Sequence, residues 1–304
     1  MSTPALPAPR GRLANLDRLR VLASLGIVHI HVTSEPTFFR TSLAIFLITV
    51  MALGVKNDTL PPFRSYVTRR LVRLGIPFLF WSIAYLPVVG YLQAVGSGFE
   101  YPPSPWLTGP MPHLWFLPYV LVASVLLYPV QLGLNGMARG RALGLCFFVA
   151  AASVGLVRDS IPNYRFPKDA WLFAIPSLFL ALAFGRLLGM APERRAVVAK
   201  RIFVIGLAIG LPLHFYEPSF VSARYALASS FLGATIAWPG RPDRFTTAIT
   251  SLRYGVYCVH PLITLVCISE PGSPKNGWLT TFLVYGLSIV VIVPLRRTFL
   301  RSTC

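Results

Sequence analysis

Charge is scarce in this sequence. Of its 304 residues only 12% are Asp, Glu, Lys or Arg, and just ten are acids. An ordinary soluble domain carries about 25% charged residues, so there is too little charge here to cover a two-domain cytosolic enzyme. Cysteine is sparser still, at four residues. Cys146, Cys258, Cys267 and Cys304 show no CxxC spacing and three of them lie in apolar runs, which excludes a disulfide scaffold and points to packing, with no metal site expected. No internal repeat aligns the prolines and glycines of the two halves, which counts against a transporter built on inverted repeats. No stretch is left over for a soluble catalytic domain, so any chemistry belongs inside the apolar part.

Apolar sequence is abundant. Hydrophobic residues make up 55% and aromatics 13% of the chain, and the mean hydropathy is +0.63. Ten uncharged runs of 14 or more residues stand between the charges: 21–34, 41–55, 74–99, 101–138, 142–157, 170–185, 202–216, 225–240, 254–269 and 276–295. A helix needs about 20 residues to cross roughly 30 Å of hydrocarbon, and flanking Lys and Arg can snorkel where a run is shorter. The 101–138 run opens with the proline-rich stretch YPPSPWLTGPMP, so its membrane part starts near His113. The expected fold is an all-α polytopic bundle of about ten transmembrane helices with both termini cytoplasmic. A cytoplasmic segment 1–18 precedes one membrane domain, 19–296, and a cytoplasmic tail, 297–304, follows it. The first span reads as a retained signal anchor.

The basic residues fix the orientation. With both termini inside, 22 of the 28 Lys and Arg fall on the cytoplasmic side, and only Arg40, Arg158, Arg165, Lys168, Arg224 and Lys275 fall outside. The net charge of +18 is then accounted for by the insertion rule and anionic lipid, without nucleic acid.

Ionisable groups at membrane depth are the candidates for function. All five histidines fall in or at the rim of spans: His29 and His31 in the first, His113 opening the fourth, His214 near the end of the seventh and His260 in the ninth. Arg20 and His31 lie eleven residues apart, an angular offset of only ~20° with a rise of ~16 Å, so they share a helix face. Arg18 and His29 have the same spacing on the opposite face. Glu35 lies one turn beyond His31, close enough to orient an imidazole if it is not simply solvated.

The first-span segment LDRLRVLASLGIVHIHV (16–32) resembles the opening of the acyltransferase 3 family of integral membrane acyltransferases, which reads Leu-Asp-x-Leu-Arg, an apolar run, then His. The alignment selects Arg20 and His31 over Arg18 and His29. Further stretches agree in order along the chain: FRSYVTRRLVRLGIPFLFW (63–81) with the family's Arg-rich entry to the third span, HLWFLPYVL (113–121) with its fourth-span entry, and SLRYGVYCVHPLI (251–263) with its late Tyr and His-Pro signature. The second span departs, reading LAIFLITVMALG where the family carries Phe-Phe-x-x-Ser-Gly.

The resemblance implies transfer of an acyl group, commonly acetyl, from cytoplasmic acyl-CoA to a hydroxyl of a carbohydrate or lipid-linked glycan. His31 would be the general base, or would carry a transient acyl group, with Glu35 and Arg20 completing the catalytic set. Arg69, Arg70 and Arg73 would bind the phosphates of coenzyme A, though the insertion rule alone also accounts for them. His113 and Trp115 would line the acceptor entrance, where Trp115 could equally be an interfacial belt residue. Tyr257 and His260 would support the catalytic helix. The expected partners are the lipid bilayer, acyl-CoA and the glycan acceptor; a homo-oligomer is compatible with the sequence. The expected location is the bacterial inner (plasma) membrane. Two other readings compete: a transporter or flippase of a polar or glycan substrate, without acyl chemistry, and a non-catalytic membrane partner of a biosynthetic complex.

Overall fold

The structure is a computed structural model that describes residues 13–33, 40–55, 59–96, 105–160, 169–216, 221–268 and 277–297. Among these the chain is helical, with no strand: α1 (Ala14–Val32), α2 (Thr41–Val55), α3 (Phe63–Arg70), α4 (Ile76–Ala94), α5 (Pro105–Thr108), α6 (Phe116–Asn135), α7 (Arg139–Ser160), α8 (Ala170–Phe173), α9 (Ile175–Leu188), α10 (Pro192–Tyr216), α11 (Val221–Ala237), α12 (Arg244–Ile268) and α13 (Gly277–Arg297). A π-helical turn, Leu71–Gly75, joins α3 to α4, and a 3₁₀ turn, Pro112–Trp115, leads into α6. Each of the ten uncharged runs lies largely within its own long rod. Six rods are long and apolar enough to cross a membrane by length and composition: Phe63–Ala94, Pro112–Asn135, Arg139–Val157, Ala170–Leu188, Pro192–Tyr216 and Gly277–Leu295. Thr41–Val55 and Gly255–Val266 are shorter apolar helices. The protein is therefore an all-helical, multi-pass membrane protein.

α2 runs through the centre. Eleven of its 15 residues are buried, and its buried Thr49 hydroxyl donates to the Ile45 carbonyl of its own helix, the cheapest way to satisfy a hydroxyl away from water. Around it stand α1, α6, α9 and α11. Where helix backbones come closest, glycine makes room. A Cβ on Gly206 of α10 would lie 2.7 Å from the Ala226 carbonyl of α11, and one on Gly233 of α11 would lie 2.8 Å from the Ala199 carbonyl of α10. Small residues at such seams let helices gain dispersion contacts that hydrocarbon around them cannot offer.

The two ends of the bundle differ in chemistry. At one end, α1 is clasped to the link between α11 and α12. The Asn15 side chain donates to the Trp238 carbonyl, Arg18 donates to the Arg241 carbonyl and pairs with Asp243 at 3.1 Å, and Asp243 accepts from the Thr246 N–H at 2.7 Å, capping α12. Thr246, through its backbone N–H and then its side chain, together with Arg18, holds the Asp243 carboxyl below the usual carboxylate range. Gly240, at φ +67°, turns the link tightly over Asn15. At the same end, buried Arg186 of α9 donates to the Gln131 carbonyl and to Asn135 Oδ1, while Gln131 donates to the Val55 carbonyl at 2.8 Å. Buried guanidinium groups need such partners. The other end collects histidines.

Candidate active site

Three helical elements and a turn bring the site together at that second end. α1 presents His31 in its last turn, α12 presents Tyr257 and His260, the 3₁₀ turn presents His113, and α4 presents Tyr85. The His31 and His260 rings lie 5.0 Å apart centroid to centroid, and His113 lies 5.9 Å from His260 and 5.0 Å from Tyr85. His260 is 0% and His113 3% exposed, whereas His31 is exposed and no described residue hydrogen-bonds to its ring. One imidazole is thus accessible, with two buried ones behind it.

Hydrogen bonds lock the wall. Tyr257 Oη donates to the His113 carbonyl at 2.6 Å, fixing the 3₁₀ turn to α12, and Tyr85 Oη donates to the Cys258 carbonyl at 2.7 Å, fixing α4 to the same helix. Phe46 of α2 stacks on Tyr257 at 5.5 Å, and Phe116 meets the same ring edge-on at 4.8 Å. Pro261 follows His260 inside α12, so the Tyr257 carbonyl loses its usual helical N–H donor within reach of the site. Among the described residues, the Nε2 atoms of His113 and His260 are buried with no hydrogen-bond partner. Leaving such an atom unsatisfied costs about 1–3 kcal/mol.

Of the residues singled out in the sequence, His31, His113, Tyr257 and His260 come together here. Arg20 does not: it lies about 16 Å back along α1, buried and paired with Asp17 at 3.0 Å. Trp115 is buried too, its ring 5.5 Å from Tyr119. Of the arginine triplet, Arg69 and Arg73 are exposed, while Arg70 turns inward over the Tyr66 ring at 5.2 Å and against Gly54. Glu35 lies outside the described residues. His29, the alternative in the first span, is buried with Nδ1 2.9 Å from Thr281 Oγ1 and its ring stacked on Trp278 at 4.3 Å, so it is already partnered by α13. Among the described residues no group of three or more His, Cys, Asp or Glu side chains is placed to hold a metal ion.

Tyr85 and Phe46 are the residues that sequence reasoning missed. Pro77, Trp81, Tyr85 and Val89, the buried residues of α4, recur every four positions, a helical stripe that a periodicity reading of that run could have found. An apolar cavity of about 510 Å³ between α7, α9, α10 and α11, walled by Phe147, Leu180, Gly206 and Tyr225 among others, carries no histidine and stands apart from this chemistry.

The acyltransferase-domain family model matches residues 13–297, nearly the whole chain. The chain belongs to the acyltransferase 3 family. It is accordingly an acyltransferase, and the match runs through every element that builds the histidine site. No curated protein and no solved structure matches this acyltransferase.

Proposed function

We propose that this acyltransferase moves an acyl group, acetyl being the expected one, from acyl-CoA in the cytoplasm to a hydroxyl of a carbohydrate or glycolipid, with His31 as the general base. The observation that carries this reading is the pairing of one accessible imidazole, His31, with a wall of two buried imidazoles whose Nε2 atoms have no partner among the described residues. An acceptor hydroxyl resting on His31 loses its proton to the ring as its oxygen attacks the thioester carbonyl. The C–S bond then breaks, and the imidazolium returns the proton to the departing thiolate sulfur. Both histidines behind it offer further polar contacts to a hydroxyl-rich acceptor.

The basic end suits the donor. Arg69 and Arg73 present exposed guanidinium groups, which pair with phosphate oxygens bidentately. The rise of about 16 Å from the Arg20 level to His31 is one that an extended pantetheine arm can span, so Arg20 serves the donor path rather than the proton transfer. In this reading ten helices span the bilayer, both termini lie in the cytoplasm and the basic end faces inward, in keeping with the 22 of 28 cations that the sequence places there. The membrane is the bacterial inner membrane.

The test is to supply acetyl-CoA labelled in the acetyl group to membranes that contain the protein. Label should appear in the glycan or glycolipid fraction and be released as acetate by mild alkali, as an O-ester is. Label confined to protein or to free acetate would sink the acceptor assignment.

A further inference from the structure

The rod formed by α3, the π-helical turn and α4 runs unbroken from Phe63 to Ala94, and it carries groups of different chemistry in a fixed order. Phe63 opens it, Arg69 and Arg73 follow, and Tyr85 meets the His113 ring in the candidate site. At about 1.5 Å per residue, Arg69 lies ~9 Å, Arg73 ~15 Å and Tyr85 ~33 Å beyond Phe63. An acyl-CoA has a matching order: adenine ring, phosphates, pantetheine arm, thioester. With its phosphates at the level of Arg69 and Arg73, the arm has ~18 Å to cover from Arg73 to Tyr85, close to its extended length. The adenine then falls back toward Phe63. On α3, Phe63 and Arg69 each stand three residues from buried Tyr66, so both lie within ~60° of the face that Tyr66 turns to the bundle.

Phe63 is built as a platform. Its ring is 49% exposed and meets Tyr128 of α6 at 63°, with centroids 5.1 Å apart. Tyr128 is itself held, its Oη donating to the Pro61 carbonyl at 2.9 Å. Behind it, 5.1 Å away, stands Tyr66, whose Oη donates to the Ser124 carbonyl at 3.1 Å. Two tyrosines anchored by hydrogen bonds therefore back the Phe63 ring. Interfacial belts are made of Trp and Tyr, whose polar tips reach water, and Phe has no such tip. The sequence around it is also polar, with Lys56, Asn57 and Asp58 shortly before and Arg64 and Ser65 just after. A half-exposed aromatic ring in that setting suits a flat, polar-edged partner better than hydrocarbon.

We propose that Phe63 is the platform on which the adenine ring of the acyl donor stacks, so that the protein holds the nucleotide end of acyl-CoA as well as its phosphates. The inference rests on the acyl-CoA reading of the function and adds to it a binding residue remote from the reacting bond. A contact so far from the chemistry is equally strong before and during transfer, so it acts on KM and leaves kcat alone.

Titration calorimetry on the detergent-purified protein tests this with three donors: acetyl-CoA, its 3′-dephospho form, and S-acetyl-4′-phosphopantetheine, which lacks the adenosine. Phe63→Ala should weaken binding of the first two at least about fivefold, the smaller end of what a base stacked on an aromatic side chain contributes. It should leave the third unchanged. Phe63→Tyr, which keeps the ring, should bind all three as the wild type does. In turnover, Phe63→Ala should raise the KM for acetyl-CoA by the same factor at an unchanged kcat. Equal losses for all three donors would mean that the substitution merely disturbs the start of α3, and would overturn the platform. So would an unchanged affinity of Phe63→Ala for acetyl-CoA, or a wild type that binds acetyl-CoA and the adenosine-free thioester equally well. A wild type that binds none of the three would instead contradict the acyl-CoA reading itself.

Discussion

At the scale of single residues, position on a helix decided less than what each side chain meets across the bundle. His29 and His31 stand two residues apart, yet one is absorbed by Thr281 and Trp278 and the other faces His260. The eleven-residue spacing from Arg20 and the family motif single out His31, and the structure puts that residue in the cluster. What no local pattern could supply is the company it keeps, since His113 and His260 are joined to it only by the fold. The arginines divide in the same way. Arg69 and Arg73 are exposed and Arg70 is turned against Tyr66 and Gly54, a distinction that three basic residues within five positions do not reveal. Replacing both Arg69 and Arg73 by Ala should weaken acetyl-CoA binding at least about 10–100-fold, the loss expected of one charge-assisted contact worth about 1.5–3 kcal/mol. Titration calorimetry on the purified protein checks this. An unchanged affinity would leave those two residues to the insertion rule alone.

At the scale of elements, the rods were legible because charge marks their ends, while their arrangement was not. α2 reads as one apolar run among ten, but it is the central helix, and its Phe46 supports Tyr257 directly. That placement gives the departure from the family's second-span motif a physical meaning: the residues there pack the wall of the site from behind. The clasp between α1 and α12 was equally invisible, because Arg18 and Asp243 are 225 residues apart. Since α1 carries His31 and α12 carries His260, the clasp helps to set the two helices in register. The Asp243 carboxyl lies below the usual carboxylate range, held there by Thr246 and Arg18. A group depressed by folding stabilises the fold above its unfolded pKa, and that contribution is lost as pH falls through the folded value. Asp243→Asn should therefore melt below the wild type at neutral pH, and the gap should close as the solution is made acidic enough to protonate the native carboxyl. Thermal unfolding in detergent at a series of pH values reads this. A gap that is constant with pH would mean that the carboxylate charge plays no part in the clasp.

For the whole molecule, the sparse charge and its uneven sides set the account. The all-helical, multi-pass architecture was legible from composition, and the family match over residues 13–297 agrees with motifs spread along the chain in the same order. Orientation is open to a direct check. Met137 and Trp106 are both exposed, in links at opposite ends of the bundle. A cysteine at Met137 should react with a membrane-impermeant maleimide only after the cells are opened, and one at Trp106 should react in intact spheroplasts. The reverse pattern would invert the topology.

The central claim is that the histidine cluster is where the acyl group is transferred and that His31 takes the proton. The most direct measurement compares wild type and His31→Ala, purified in detergent, for two properties at once: the rise in thermal stability with acetyl-CoA, and the release of CoA thiol in the presence of a crude glycan acceptor. Donor at ~100 times its dissociation constant should stabilise both proteins by about 2.7 kcal/mol. Thiol release should fall about 10²–10⁴-fold in the variant, the range that a general base contributes. A His31→Ala protein that binds the donor and still releases CoA at the wild-type rate would contradict the account.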